Sequence, residues 1–100
     1  MQRPLRLTIP PDHPSLPGHF PGRPIVPGVV VLDCALAALM RDRPAARLAG
    51  FDDVKFIAPV SPGAEVIVTC SEAAADRLSF ACTVDGRAVL RGRARLGLAG

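Results

Sequence analysis

Hydrophobic residues dominate one segment of the chain, GVVVLDCALAALMRDR, which covers residues 28–43. Its apolar side chains lie all round a helical turn, and this pattern is typical of a helix enclosed by other elements. We predict a helix over residues 28–42 that is buried along most of its length. Pro27 suits its first turn, and Pro44 with the arginines before it marks its end.

The residues after this helix alternate with the period of β-strands. LSFACTV, residues 78–84, places its apolar side chains on one face, and Asp85-Gly86 predicts a two-residue hairpin turn into RAVLRGRARLGL. In that last segment Arg91, Arg93 and Arg95 lie on the face opposite the apolar residues. We therefore predict a hairpin with one apolar and one polar face.

Three further segments complete the predicted sheet. PLRLTI (4–9), FDDVKFIAPV (51–60) and AEVIVTC (64–70) are predicted strands, and residues 10–27 form a loop rich in Pro and Gly. The predicted order is one strand, the loop, the helix and four antiparallel strands. This is an α+β arrangement, and a strongly curved sheet wrapped around one long central helix is the simplest way to bury that helix.

Size and charge limit the classes of function. One hundred residues, 49% of them hydrophobic, predict a single domain over residues 1–100, and oligomerisation would supplement its small core. The net charge is only +3, and the chain has no Trp or Tyr and four Phe in apolar contexts. No aromatic platform for bases is visible, so we expect no nucleic-acid partner.

Cysteine usage indicates a reducing compartment. Cys34, Cys70 and Cys82 are odd in number, far apart and set in apolar runs without metal-ligand spacing. We predict buried free thiols, no metal site and a cytoplasmic protein, since the first residues lack the apolar core of a signal peptide. The longest apolar run, Val29 to Met40, is too short to span a membrane and contains Asp33.

Asp33 is the ionisable side chain within that run. A carboxylate in a buried helix costs free energy unless it is paired or protonated, which points to a functional role. Two other interpretations together carry about the same weight as the functional one. Asp33 could interact favourably with the N-terminal helix dipole, about one turn away, or it could lie at a solvated edge.

Two residues before or at the helix start complement this acid. His19 lies in Pro-Gly-His-Phe-Pro-Gly, where a surface or hydrogen-bonding histidine is the ordinary interpretation. Gly28 should present a backbone N–H without an intrahelical partner, suited to an oxyanion, although it could serve the turn alone. A base, an oxyanion donor and an acid around one helix start fit proton abstraction next to a carbonyl, and the pattern does not identify that carbonyl.

The stretch HFPGRPIVPGVVVLDCALAAL, residues 19–39, resembles the signature of the bacterial 3-hydroxyacyl-(acyl carrier protein) dehydratases, which have the hotdog fold. VKFIAPVSPGAEVIV (54–68) and DGRAVLRGRARL (85–96) are similar to later parts of that family. The resemblance implies dehydration of 3-hydroxyacyl thioesters to trans-2-enoyl thioesters. The substrate would be carried on the phosphopantetheine of acyl carrier protein or on coenzyme A, with no other cofactor.

The resemblance also implies roles for individual residues. His19 matches the histidine that removes the α-proton, Gly28 the glycine whose amide polarises the thioester carbonyl, and Asp33 the acid that protonates the leaving hydroxyl. Burial among Val and Leu would favour the protonated carboxyl that this role needs. Phe20, Pro27 and Val29 are implied to line the substrate channel. The family pattern further implies that His19 and Asp33 act from opposite subunits of a homodimer, or of a larger assembly of such dimers.

One departure from the family concerns the acid. Ala37 stands one turn after Asp33, where the family usually has a Gln that hydrogen-bonds the acid. The short chain is more similar to the small dehydratase-like proteins of aryl-polyene and related specialised lipid pathways. Two alternatives stay open: a hotdog thioesterase, and a non-catalytic subunit that binds acyl carrier protein. Arg91, Arg93 and Arg95 could receive such an acidic carrier, but a solvated sheet face is the preferred interpretation.

Overall fold

The computed structural model describes residues 4–9 and 26–98. The elements follow the predicted order of one strand, one helix and four strands. They are β1 (Leu5–Thr8), α1 (Gly28–Arg41), β2 (Ala46–Phe56), β3 (Glu65–Ala74), β4 (Arg77–Val84) and β5 (Arg87–Leu98). The prediction for β2 was shifted toward the C-terminus. Beyond Phe56 the amides of Ile57 and Ala58 both donate to the carbonyl of Val89, and Pro59 has no N–H to extend the pairing.

The five strands form one antiparallel sheet in the order β1-β3-β4-β5-β2. β1 and β2 lie at opposite edges, although α1 is the helix between them in the chain. The connection from one edge to the other therefore carries α1 across a face of the sheet. This arrangement of a sheet around one helix is the hotdog fold, and it confirms the predicted fold class.

Local geometry curves the sheet around the helix. Register shifts interrupt the ladders within β2, within β3 and between β4 and β5, and such bulges bend and twist strands. The β4–β5 turn is formed by Asp85 and Gly86 with positive φ values of 51° and 79°. These values fit the type I′ hairpin turn that an Asp-Gly pair favours, so the predicted turn is confirmed.

The core lies between α1 and the sheet. Its residues are buried and apolar, and α1 contributes Val31, Leu32, Ala35, Leu36 and Leu39. The sheet contributes Val66, Val68, Leu78, Phe80, Cys82, Leu90 and Ala94. The predicted alternation in β4 and β5 is therefore confirmed, because Arg91, Arg93 and Arg95 are exposed between buried neighbours.

The prediction that α1 is buried along most of its length is wrong for the single chain. The sheet covers one side of the helix, and Val29, Asp33 and Ala37 are exposed on the other. These residues follow one another at intervals of four and form a single row, which we call the exposed ridge. The apolar run looked enclosed because Val29 and Ala37 continue the apolar composition onto this ridge. Asp33 is accordingly a surface carboxyl in the single chain.

The thiols differ in their environments. Cys82 is buried in the core, and burial raises its pKa to about 11. Cys34 is half-buried, and partial burial together with the nearby Asp33 carboxylate raises its pKa. Cys70 is also half-buried, and a guanidinium nitrogen of Arg43 lies 3.6 Å from its sulfur. Arg43 also donates to the carbonyl of Leu39 at 3.1 Å, and this contact fixes the C-terminal turn of α1.

Leucine truncation tests whether α1 is held by its buried face. Leu39 is fully buried against the sheet, whereas Leu98 at the end of β5 is 86% exposed. We expect Leu39→Ala to lower the free energy of unfolding by about 2–5 kcal/mol because it leaves a cavity. The matched change Leu98→Ala should cost less than about 0.5 kcal/mol. Urea denaturation measures both values, and equal losses would contradict the packing of α1.

Candidate active site

The N-terminus of α1 is fixed by an isolated pairing between two distant segments. The amide of Val26 donates to the carbonyl of Val60 at 2.8 Å, and both side chains are buried. Pro27 follows as the N-cap with extended backbone angles. Its carbonyl accepts hydrogen bonds from the amides of Val30 and Val31. The first turn of α1 is thus anchored to the segment that follows β2.

Two amides of this first turn point out of the helix without an intrahelical acceptor. They belong to Gly28 and Val29, whose N–H groups precede the first helical hydrogen bonds. Pro27 has no side-chain group that could cap them. Together with the positive end of the helix dipole, they form a local environment that favours a negatively charged oxygen.

An apolar cavity of about 540 Å³ lies beside these amides. It is bounded by the helix start, by the segment after β2 and by the start of β5. The lining residues are Val26, Pro27, Gly28, Val31, Phe56, Ile57, Ala58, Pro59, Val60, Val89 and Leu90. None of these lining side chains carries a charge, so the cavity suits an apolar group whose polar end reaches the Gly28 amide.

Phe56 determines how closely the cavity wall approaches the helix. A Cβ placed on Gly28 would lie 2.5 Å from Cδ1 and 2.9 Å from Cε1 of the Phe56 ring, which is too close for any side chain unless the ring moves. A side chain at this position would therefore displace the Phe56 ring from its place against the helix start. The Phe56 side chain is nevertheless 54% exposed, and with Ile57 it forms an apolar rim at the cavity.

Asp33 lies in the second turn of α1, away from the cavity. The first turn contains no acidic residue, so an interaction of Asp33 with the helix dipole is weak at this distance. The carboxyl is exposed on the ridge with Val29 and Ala37, and it is absent from the cavity lining, which includes Gly28. Within one chain, the predicted acid and the predicted oxyanion donor therefore face different spaces.

The other predicted site residues have different placements. His19 and Phe20 lie outside the described residues. Pro27 lines the cavity, whereas Val29 is 59% exposed and does not line it. Phe56 and Ile57 were not singled out from the sequence. The signal for them was present, since two large apolar residues break the alternation at the end of a strand that is otherwise polar on one face.

Two further observations concern the described ranges 4–9 and 26–98. No three His, Cys, Asp or Glu side chains there come together as metal ligands. In the same ranges, no helix combines the length and the apolar character that crossing a membrane requires.

Substitution of Gly28 tests the contact with Phe56. Gly28→Ala should destabilise the protein because the new methyl group meets the ring, although alanine normally favours a helix over glycine by about 1 kcal/mol. In a Phe56→Ala background the same change should become neutral or stabilising. A double-mutant cycle by urea denaturation should give a coupling of about 0.5–3 kcal/mol. Additive effects of the two changes would contradict the contact.

Solved structures of known proteins share this fold. ApeI in "The Dehydratase Heterocomplex ApeI:P" from Xenorhabdus doucetiae aligns with 93% of this chain and 84% of its own, with 24% identity and a TM-score of 0.79. The (R)-hydratase from A. caviae, which is involved in PHA biosynthesis, aligns over 97% and 93% with 18% identity and a TM-score of 0.74. A mutant form of the fluoroacetyl-CoA-specific thioesterase FlK aligns over 98% and 88% with 17% identity and a TM-score of 0.66. The fold is therefore shared by enzymes that act in different ways on their substrates.

The match to a family model distinguishes among these enzymes for this chain. Residues 2–93 match the ApeI-like family, described as ApeI dehydratase, and this match includes both the helix start and the whole of β2 to β4. The chain belongs to the ApeI-like family of hotdog dehydratases.

Proposed function

We propose that this protein dehydrates 3-hydroxyacyl thioesters to trans-2-enoyl thioesters in fatty acid or polyene-type biosynthesis in the cytoplasm. The acyl group would be carried on the phosphopantetheine of acyl carrier protein or on coenzyme A, and the reaction would need no further cofactor. The observation that carries this proposal is the amide of Gly28, which has no intrahelical acceptor and lies beside a cavity whose described lining carries no charge, at the start of a helix in a dehydratase family.

The Gly28 amide supplies electrostatic stabilisation in the proposed reaction. Removal of the α-proton moves negative charge onto the thioester oxygen, and a preorganised N–H in an apolar site stabilises such an oxyanion. The neighbouring cavity accepts the apolar acyl chain. Neither feature requires a charged side chain inside the cavity.

Two side chains would move the protons. Neutral His19 accepts the α-proton from C2, and Asp33 in its acid form donates a proton to the hydroxyl on C3. The C3–O bond breaks, water leaves, and the electron pair from C2 forms the double bond. Proton transfer back from His19 to Asp33, directly or through water, restores both residues for the next turnover.

Separation of Asp33 from the cavity supports an interface site in a homodimer. A second chain packed on the exposed ridge would bring its own Asp33 toward the cavity of the first chain. The exposed apolar side chains Val29, Phe56 and Ile57 lie around this region and would be covered by the same contact.

The edge of β2 extends the proposed contact. This strand has 11 residues and pairs on one side with β5, which leaves its other edge without a strand partner in the described sheet. A long unpaired edge is a template for pairing with another chain. The related ApeI forms a heterocomplex, so an assembly through this region is compatible with a second, similar subunit as well.

Mixing two inactive variants tests the shared site. His19→Ala and Asp33→Asn should each lower kcat for a 3-hydroxyacyl thioester by about 100-fold or more. When the two variants are unfolded together and refolded in equal amounts, mixed dimers contain one site with both natural residues. We expect recovery of about a quarter of the wild-type activity, because half the dimers are mixed and each has one complete site. No recovery, with dimers present, would place both residues in one chain.

Product analysis in the same assay separates the reaction classes. Loss of water with an intact thioester, detected by mass spectrometry, is the expected result. Release of free thiol without enoyl product would identify a thioesterase. Tight binding of acyl carrier protein without turnover on any chain length would identify a non-catalytic subunit. Wild-type activity in both variants would show that His19 and Asp33 are not the catalytic pair.

Ala37 offers a test of how Asp33 is oriented. Residues 33 and 37 are neighbours on the exposed ridge, where a Gln can hydrogen-bond an Asp four residues away. Ala37→Gln should raise kcat by roughly two- to tenfold with KM unchanged, because a positioned acid reaches the transition state more often. The same change in the Asp33→Asn background should have no effect. An equal increase in both backgrounds would exclude a positioning role.

A further inference from the structure

The outer face of the sheet carries a second cluster of charged and polar side chains. Arg91, Arg93 and Arg95 of β5 are exposed, and they alternate with the buried residues Gly92 and Ala94. They therefore lie on the face of the sheet opposite α1. This face is separate from the cavity beside Gly28, whose walls are formed by α1 and the inner residues Val89 and Leu90.

Most of the charges on this face are paired. Arg93 contacts Asp53 at 2.7 Å, and this hydrogen bond lowers the pKa of the carboxyl. Asp52 accepts from Arg77 at 2.8 Å and lies 3.5 Å from Arg95. These contacts use the carboxylates that β2 presents to β5. The arginine row is thus largely neutralised and is not a uniform basic stripe.

Lys55 and Arg91 lie outside these pairs, although the charge of Arg91 also helps to lower the pKa of Asp53. Lys55 of β2 and Arg91 of β5 are direct partners in the antiparallel ladder, and both are exposed. Neither side chain forms a salt bridge or a side-chain hydrogen bond with another described residue. Like charges directly opposite each other destabilise a sheet. An anion bound between the side chains of Lys55 and Arg91 would offset this repulsion.

A groove of about 680 Å³ lies directly beside this pair. Successive strands place Thr69, Ala81, Arg91 and Lys55 in one row across the sheet. The small side chain of Ala81 leaves the floor of the groove low, and hydroxyl groups lie on the far side of it. Ser71, Ser79, Thr69, Lys55, Arg91, Arg93 and Asp53 are the polar residues that line this outer-face groove.

We infer that the outer-face groove binds the phosphate monoester group of a small molecule, between Lys55 and Arg91 on one side and the hydroxyls of Thr69, Ser71 and Ser79 on the other. The net charge of the lining is +2, because Asp53 offsets Arg93, and this matches a dianion. Guanidinium and hydroxyl donors are suited to phosphate oxygens. The groove volume lies in the range of small-molecule sites and exceeds what a lone ion would need.

Titration of the full-length protein tests this site. Inorganic phosphate and a sugar monophosphate are added at constant ionic strength, and binding is followed by calorimetry and by NMR shifts of the groove amides. We expect saturable binding with a Kd of about 1 mM or tighter. Arg91→Gln and Lys55→Gln should each weaken it by about tenfold or more. Arg87→Gln removes an equal charge from an exposed arginine at the start of β5, outside the groove, and should leave the Kd unchanged.

A melting experiment checks that the variants remain folded. Without phosphate and at low salt, Arg91→Gln should keep or raise the Tm, because it removes the repulsion with Lys55. Non-saturable shifts, or an equal loss of affinity in Arg87→Gln, would overturn the site. Binding of a phosphoserine peptide or of polyglutamate, without binding of either small phosphate, would also overturn it and would indicate a protein partner instead.

Discussion

The structure depends on burial of one apolar side of α1 by a curved sheet. Val31, Ala35 and Leu39 have almost no exposed surface, so the helix cannot rotate or shift without exposing them. The sheet can surround the helix because bulges in several strands increase its twist. The connections at both ends of α1 then follow from this packing. One result is that the helix start is held at a fixed place beside the segment that follows β2.

The same packing divides the candidate site between two surfaces. Gly28 faces the apolar cavity, while Asp33 is carried to the exposed ridge by the helical repeat. A rigid helix with one side against the sheet cannot bring both residues to one space. A single chain therefore holds the oxyanion donor in place and leaves the acid in solvent. The proposed second subunit on the ridge would bring an acid toward the cavity and would also cover the exposed apolar rim.

Much of the fold could be predicted from local patterns. Alternation in residues 78–84 and the Asp85-Gly86 turn are local signals, and both appear in the structure as predicted. The edge positions of β1 and β2 could not be predicted, because sheet order depends on contacts between distant segments. The exposure of Asp33 was one of the interpretations left open, and the sequence could not decide between them. An apolar residue such as Val29 looks the same in sequence whether its own chain or another chain covers it.

The candidate sites coincide with places where local preferences are broken. A glycine begins α1 where the Phe56 ring leaves no room for a methyl group, and a carboxylate interrupts the apolar ridge at Asp33. On the outer face of the sheet, Lys55 and Arg91 are direct partners in the ladder, although two carboxylates, Asp52 and Asp53, lie only three and two residues before Lys55 in the chain. Of these, the like-charged pair costs stability in the isolated chain, whereas Asp33 is exposed to solvent and Gly28 fits against the Phe56 ring. Folding alone does not require this pair, since an opposite charge at either position would satisfy the same fold better. The proposed anion would account for the like-charged pair, and the proposed second subunit would give the exposed Asp33 a role.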